Sequence, residues 1–158
     1  MNDTQRFLRE AIELAYENLK SGGRPFGAVV VRNGQILARG VNEILSTNDP
    51  TAHAELMAIR SAGQKLGSPH LGGCAVYASG HPCPMCMAAM RLSGISEVYY
   101  AYSNEDGAPY GLSTAAIYAD LAKPFSAQSM KIHHEPVRLE SGLDLYAAWQ
   151  ERQAGRVR

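Results

Sequence analysis

The chain has 158 residues, with 15 lysines and arginines against 15 aspartates and glutamates, 46% hydrophobic residues and three cysteines. That length supplies one hydrophobic core rather than two, so residues 1–158 are read as a single domain. Zero formal charge at ordinary hydrophobicity argues against an intrinsically disordered chain and against a strongly electrostatic polyanion binder.

The first predicted element is a helix, because Phe7, Leu8, Ala11, Ile12, Leu14, Ala15 and Leu19 share one face at three-and-four spacing. Asp3 or Thr4 is its expected N-cap, and Ser21-Gly22-Gly23 ends it. Residues 27–31 and 35–41 are two β-rich runs around Asn33-Gly34, a strong hairpin signal, and predict an antiparallel pair. Residues 43–50 are polar and turn-rich. A second helix is expected from about His53 to Leu66, with Thr51 ahead of it and Glu55 placed for a capping box. Residues 67–73 read as a loop and 75–78 as a strand. A helix over 85–92 follows, with Pro84 in its first turn and Gly94 at its end. Residues 98–102 predict a strand, 103–111 a polar loop, 113–121 a short helix, 130–134 a fifth strand and 143–153 a terminal amphipathic helix. Strands alternating with helices after an opening hairpin predict a mixed sheet with helices on both faces.

Two motifs carry chemistry. His53-Ala54-Glu55 and, thirty positions on (83 − 53 = 30), Pro82-Cys83-Pro84-Met85-Cys86 both fall at predicted helix starts. A Cys-x-x-Cys turn brings two sulfurs around one zinc ion, and His53 adds a nitrogen. Three protein ligands leave the fourth tetrahedral position open for water. Helix N-termini carry partial positive charge and favour the thiolates that bind metal. Glu55, two residues from His53 on the same turn, is placed to accept a proton from that water. H-x-E followed by P-C-x-x-C is the zinc-deaminase signature, with the glutamate as general acid and base rather than ligand.

Other candidates read differently. Cys74 is separated from Cys83 by a predicted strand and reads as a small buried residue. His81 reads as a hydrogen-bonding residue beside the site, since a fourth protein ligand would close the position water needs. His70, His133 and His134 have no partner motif, and Met85, Met87 and Met90 read as core packing. Arg152, Arg156 and Arg158 give the terminal helix a basic end, and Arg91 follows the zinc helix. Favourable charge at a helix C-terminus accounts for the terminal cluster more simply than tRNA does. The opening MNDTQRFLRE lacks the apolar core of a signal peptide, and the longest apolar stretches fall short of the ~20 residues that cross a bilayer. The expectation is the reducing cytoplasm, with no membrane partner, where closely spaced cysteines serve metal or chemistry more often than disulfides.

The chain resembles the cytidine-deaminase-like superfamily of zinc deaminases. The resemblance rests on Pro25-Phe-Gly-Ala28, Asn42, Asn48-Asp-Pro-Thr-Ala-His-Ala-Glu55 and Pro82-Cys-Pro-Met-Cys86, and within the superfamily these are most similar to the bacterial guanine deaminases. Relatives are tRNA adenosine deaminases and fungal-type cytosine deaminases. The resemblance implies a three-layer α/β/α sandwich around a mixed five-stranded sheet. It assigns one Zn²⁺ per chain to His53, Cys83 and Cys86, proton shuttling to Glu55, and base contacts to Phe26, Asn42 and the backbone of Ala54. The implied reaction is hydrolytic deamination of a free nucleobase, guanine to xanthine first. A homodimer with an exchanged C-terminal segment is also implied. Guanine deaminases of this type carry an acidic residue after the fourth strand, where this chain has Ser113-Thr114, and end in an aromatic, where it has Arg156-Val-Arg158. Thr114 is therefore a candidate substrate-edge residue, with Asp106 or Glu105 as alternative acids.

Overall fold

The computed structural model describes residues 1–156. Val157 and Arg158 lie outside the described residues, and with them the last arginine of the basic end and the terminus that replaces an aromatic. In chain order the elements are α1 (Asp3–Lys20), β1 (Gly27–Arg32), β2 (Gln35–Val41), α2 (Ile44–Thr47), α3 (Ala54–Leu66), β3 (Cys74–Gly80), α4 (Pro84–Ser93), β4 (Glu97–Tyr102), α5 (Asn104–Gly107), α6 (Ala115–Leu121) and α7 (Leu145–Arg156). Short 3₁₀ turns lie at Ala108–Tyr110 and Phe125–Ala127. The chain divides into two compact units, Met1–Ala122 and the segment from Lys123 onward.

The first unit is built on a mixed four-stranded sheet of order β2-β1-β3-β4. β1 runs antiparallel to both neighbours, and β3 and β4 are parallel. Side chains alternate across β1, so Ala28 and Val30 face one layer and Val29 and Val31 the other. The first set joins Val76, Ala54, Ala58, Ala62 and Met90 in the larger core, under α3 and α4. The second set joins Tyr77 and Phe7 of α1. Helices thus cover both faces, as the alternating pattern predicts. The hairpin turns at Asn33 (φ 51°) and Gly34 (φ 73°), the two positive φ values that a type I′ turn demands and that Asn-Gly tolerates. One residue is extra on β2, since Val30 pairs with Ala38 but Val31 with Ile36, leaving Leu37 as a bulge.

Four local expectations are corrected. The sheet has four strands, not five: residues 130–134 belong to no ladder among the described residues, and Met130 and Ile132 are exposed. Alternating apolar residues become a strand only where an edge pairs with their backbone. The N-cap of α1 is Asn2 rather than Asp3 or Thr4; its side chain accepts from the Gln5 N–H, and Gln5 returns the bond to the Asn2 N–H. The polar stretches 43–50 and 103–111 contain the short helices α2 and α5, the latter closed by a capping box between Ser103 and Asp106 and followed by the 3₁₀ turn at Ala108–Tyr110. The box expected from Thr51 and Glu55 does not form, because His53 occupies the N-cap of α3 and neither flanking side chain caps it.

The second unit contains α7, whose Leu145, Tyr146 and Trp149 are all exposed. Among the described residues no helix is long and apolar enough to cross a membrane.

Candidate metal centre and active site

Two helix N-termini meet at the site. His53 is the N-cap of α3 and Cys83 the N-cap of α4, both in extended backbone with no side-chain capping bond, so their side chains are free for another task. Pro84 at the first position of α4 needs no N–H partner there. The turn before α3 is knitted by Asp49, whose Oδ1 accepts from the Thr51 N–H (2.9 Å) and hydroxyl (2.7 Å). Arg60 reaches back from α3 to donate to Thr51 Oγ1 at 3.1 Å. Those contacts hold Thr51 away from the helix start and leave the N-cap to His53.

The three donor atoms converge. His53 Nδ1 lies 3.4 Å from Cys83 Sγ and 3.7 Å from Cys86 Sγ, and the two sulfurs are 3.6 Å apart. Tetrahedral zinc with bonds of about 2.3 Å to sulfur and 2.0–2.1 Å to nitrogen places its donors roughly 3.6–3.8 Å from one another. The spacing therefore fits zinc without rearrangement. Protonation agrees: the Cys83 thiol is pushed down to about 4 by hydrogen bonds from Cys86 and then His53. The proton left on Cys86 is held strongly by its bond to Cys83 and by burial. Without a cation only one of the two adjacent buried sulfurs gives up its proton, and a dication between them would stabilise both as thiolates. His53 is raised, chiefly by its bond to Cys83.

Glu55 sits behind this cluster at 6% exposure. Burial raises its carboxyl pKa, and a hydrogen bond from Cys86 partly opposes the rise. A carboxyl raised in this way holds a proton more readily than an exposed one, which suits it to accept and return one.

His53 and Glu55 line a cavity of about 140 Å³, together with Phe26, Asn42, Ala54, Cys83, Arg24, His81, Gly111, Leu112, Ser113 and Thr114. That wall holds every candidate except Cys86, which is fully buried within the donor cluster, and the alternative acids Asp106 and Glu105. Asp106 caps α5 and lines a neighbouring cavity of about 730 Å³, which shares Phe26, His81 and Leu112 with the smaller one. Asn42 Oδ1 accepts from the Ile44 N–H at 3.1 Å, so its amide hydrogens are what it offers the cavity. The Thr114 hydroxyl is buried without a protein partner among the described residues. Cys74 lies in the core, outside the donor cluster. Arg24, Gly111 and Leu112 on the cavity wall carried no sequence signal, since each sits in an irregular segment distant in the chain. Tyr118 was missed as well; its hydroxyl donates to the Pro82 carbonyl and ties α6 to the cysteine turn.

The comparisons with known proteins converge on this geometry. The cytidine and deoxycytidylate deaminase zinc-binding region matches residues 1–102. A guanine deaminase of Bacillus subtilis (strain 168) is 41% identical over 147 residues, 92% of this chain and 93% of its own length. A tRNA-specific adenosine deaminase of Aquifex aeolicus (strain VF5) is 38% identical over 95 residues, 60% of this chain and 63% of its own. The X-ray structure of the guanine deaminase from Bacillus subtilis superposes with a TM-score of 0.81 at 38% identity, covering 100% of this chain and 96% of that one. Since the matched region holds the hairpin, α3, both motifs and β4, the chain belongs to the cytidine and deoxycytidylate deaminase zinc-binding family and is a zinc-dependent hydrolytic deaminase.

Proposed function

We propose that the protein deaminates a free nucleobase, guanine to xanthine, with His53, Cys83 and Cys86 holding one zinc ion and Glu55 moving the protons. The observation that carries the reading is a buried carboxyl with a raised pKa on the wall of a small cavity, next to three donor atoms at zinc spacing. Zinc held there would supply Lewis acidity toward a water molecule, lowering its pKa. Glu55 accepts a proton as the water oxygen bonds to C2 of the base. It passes that proton to the adjacent ring nitrogen, then takes the second proton from the added oxygen and gives it to the departing amine as the C–N bond breaks, so that guanine and water give xanthine and ammonia. Phe26 stacks against the ring, the Asn42 amide donates to an acceptor on its edge, and Thr114 Oγ1 meets the edge where related enzymes carry an acid. The Ala54 backbone lies on the same wall. Guanine is favoured by the relative of 41% identity that spans nearly the whole chain.

Ammonia release from guanine, cytosine, adenine, isoguanine, aminotriazines and their nucleosides tests the substrate. Turnover is expected with guanine, and turnover confined to another compound overturns that choice. Glu55→Ala is expected to keep zinc and to lose at least about 100-fold in turnover, the range for a removed general acid and base. A salt-sensitive gel shift with an anticodon stem-loop would instead favour a tRNA substrate.

We further propose that residues 1–158 serve one catalytic domain in a cytoplasmic homodimer with the C-terminal segment exchanged between subunits. Support comes from β4, an edge strand with Tyr100 and Tyr102 exposed, and from the exposed apolar residues of α7. Sedimentation of a monomer active at assay concentration would refute the dimer.

A further inference from the structure

His81 has no role in the reaction as described, although it lines both cavities. Its surroundings determine more about it than its position does. The ring stands edge-on to Tyr100 at 4.7 Å between centroids and to Tyr118 at 5.4 Å. Its backbone N–H donates to the Tyr102 carbonyl at 2.8 Å. Both orientation and position are therefore held from β4 and α6.

The proton on the ring is fixed by Asn104. The Thr114 backbone N–H lies 3.1 Å from one terminal atom of the Asn104 amide. A backbone N–H only donates, so that atom is Oδ1 and the amide has a single consistent orientation. Its other end, Nδ2, lies 3.1 Å from His81 Nδ1. An amide nitrogen only donates, so Nδ1 must be the bare, accepting nitrogen of a neutral imidazole. The ring proton then resides on Nε2, which contacts no hydrogen-bonding protein group among the described residues.

We propose that His81 donates its Nε2–H to an acceptor on the substrate, a ring nitrogen or carbonyl oxygen away from the reacting carbon, and that Asn104 is the positioning residue that fixes this tautomer. Asn104 does so while tethering the segment that carries Thr114, so one amide sets two parts of the cavity wall. The donors of Asn42 and His81 then select bases that present acceptors on that edge. A substrate that presents a donor to His81 leaves two hydrogens facing each other and is rejected. The proposal rests on the deaminase reading for its substrate arm alone, because the tautomer is observable without turnover.

The test is made on the zinc-loaded protein. Long-range ¹H–¹⁵N spectra at about pH 8.5 report which ring nitrogen carries the proton, with the His81 signal assigned by its loss in His81→Gln. The expected pattern is Nε2 protonated and Nδ1 bare, and Asn104→Leu should convert it to a mixture. A wild-type ring protonated on Nδ1 overturns the proposal. His81→Phe, which keeps the aromatic contacts, is expected to raise KM roughly tenfold with a smaller effect on kcat. His81→Gln, whose amide nitrogen stands near the place of Nε2, should recover most of that loss. An unchanged KM in His81→Phe, or no recovery in a folded His81→Gln with full zinc content, removes His81 from substrate binding. If no base in the panel turns over while the Nε2–H pattern holds, the reading of the reaction has failed and the Asn104–His81 device stands.

Discussion

Burying the Glu55 carboxyl penalises its ionised form, and that penalty is borne by folding rather than by catalysis. The raised folded-state pKa means that the native chain binds this proton more tightly than the unfolded chain does. Stability from this group is therefore undiminished below the ordinary carboxylate value and falls as pH rises through the raised one. Glu55→Gln should raise the Tm of the metal-free protein at pH 7–8, and the gain should vanish near pH 4; a calorimetric series across that range checks the sign. The cysteines divide at the same scale. Cys83 and Cys86 lie within 4.8 Å of His53 Nδ1 as one donor cluster, whereas Cys74 packs in the core among apolar neighbours. Cys83→Ser should lose stoichiometric zinc by atomic absorption. Cys74→Ser should keep it while costing about 1–3 kcal/mol of stability, the penalty of a buried unpaired hydroxyl.

Among the elements, α3 matters most, because its first turn supplies both His53 and Glu55. Its closeness to the sheet depends on Gly40 of β2. A Cβ there would stand 2.3 Å from the Ala54 carbonyl oxygen and 2.5 Å from the Ala58 nitrogen, both backbone atoms that cannot turn aside. Gly40→Ala should therefore push the start of α3 off the sheet. We expect a stability loss of about 1–3 kcal/mol, a Tm lower by roughly 3–10 °C, and weaker zinc retention, measured by thermal melts and metal content. Nothing in the sequence marked Gly40 for this role, since the contact joins residues distant in the chain. The Asn33-Gly34 turn was legible because its constraint is local.

For the whole molecule, the two motifs are separated by β3 and join only when parallel β3 and β4 and the antiparallel β1 set α3 and α4 side by side. Metal held by donors from both helices links those elements and is present in the folded state alone. Chelation should lower the Tm by several degrees and stoichiometric zinc should restore it, a reversible shift set by the affinity for the native state. A melt insensitive to chelation, in a protein shown to be metal-free, would separate the cluster from fold stability.

The sequence alone determined the period of α1, the hairpin, the helix starts at both motifs and the donor types, because each is encoded within a few neighbouring residues. It also placed alternating apolar residues at 130–134, where the structure has no strand, because pairing depends on an edge that local pattern does not contain. Tertiary structure decided what lies between distant segments. It turned the side chain of His53, the N-cap of α3, toward the thiols, buried Glu55, brought Thr114 and Arg24 to one cavity, and set Asn104 against His81 so that a single amide decides where an imidazole carries its proton. Those outcomes depend on distance through space, and chain spacing does not report it.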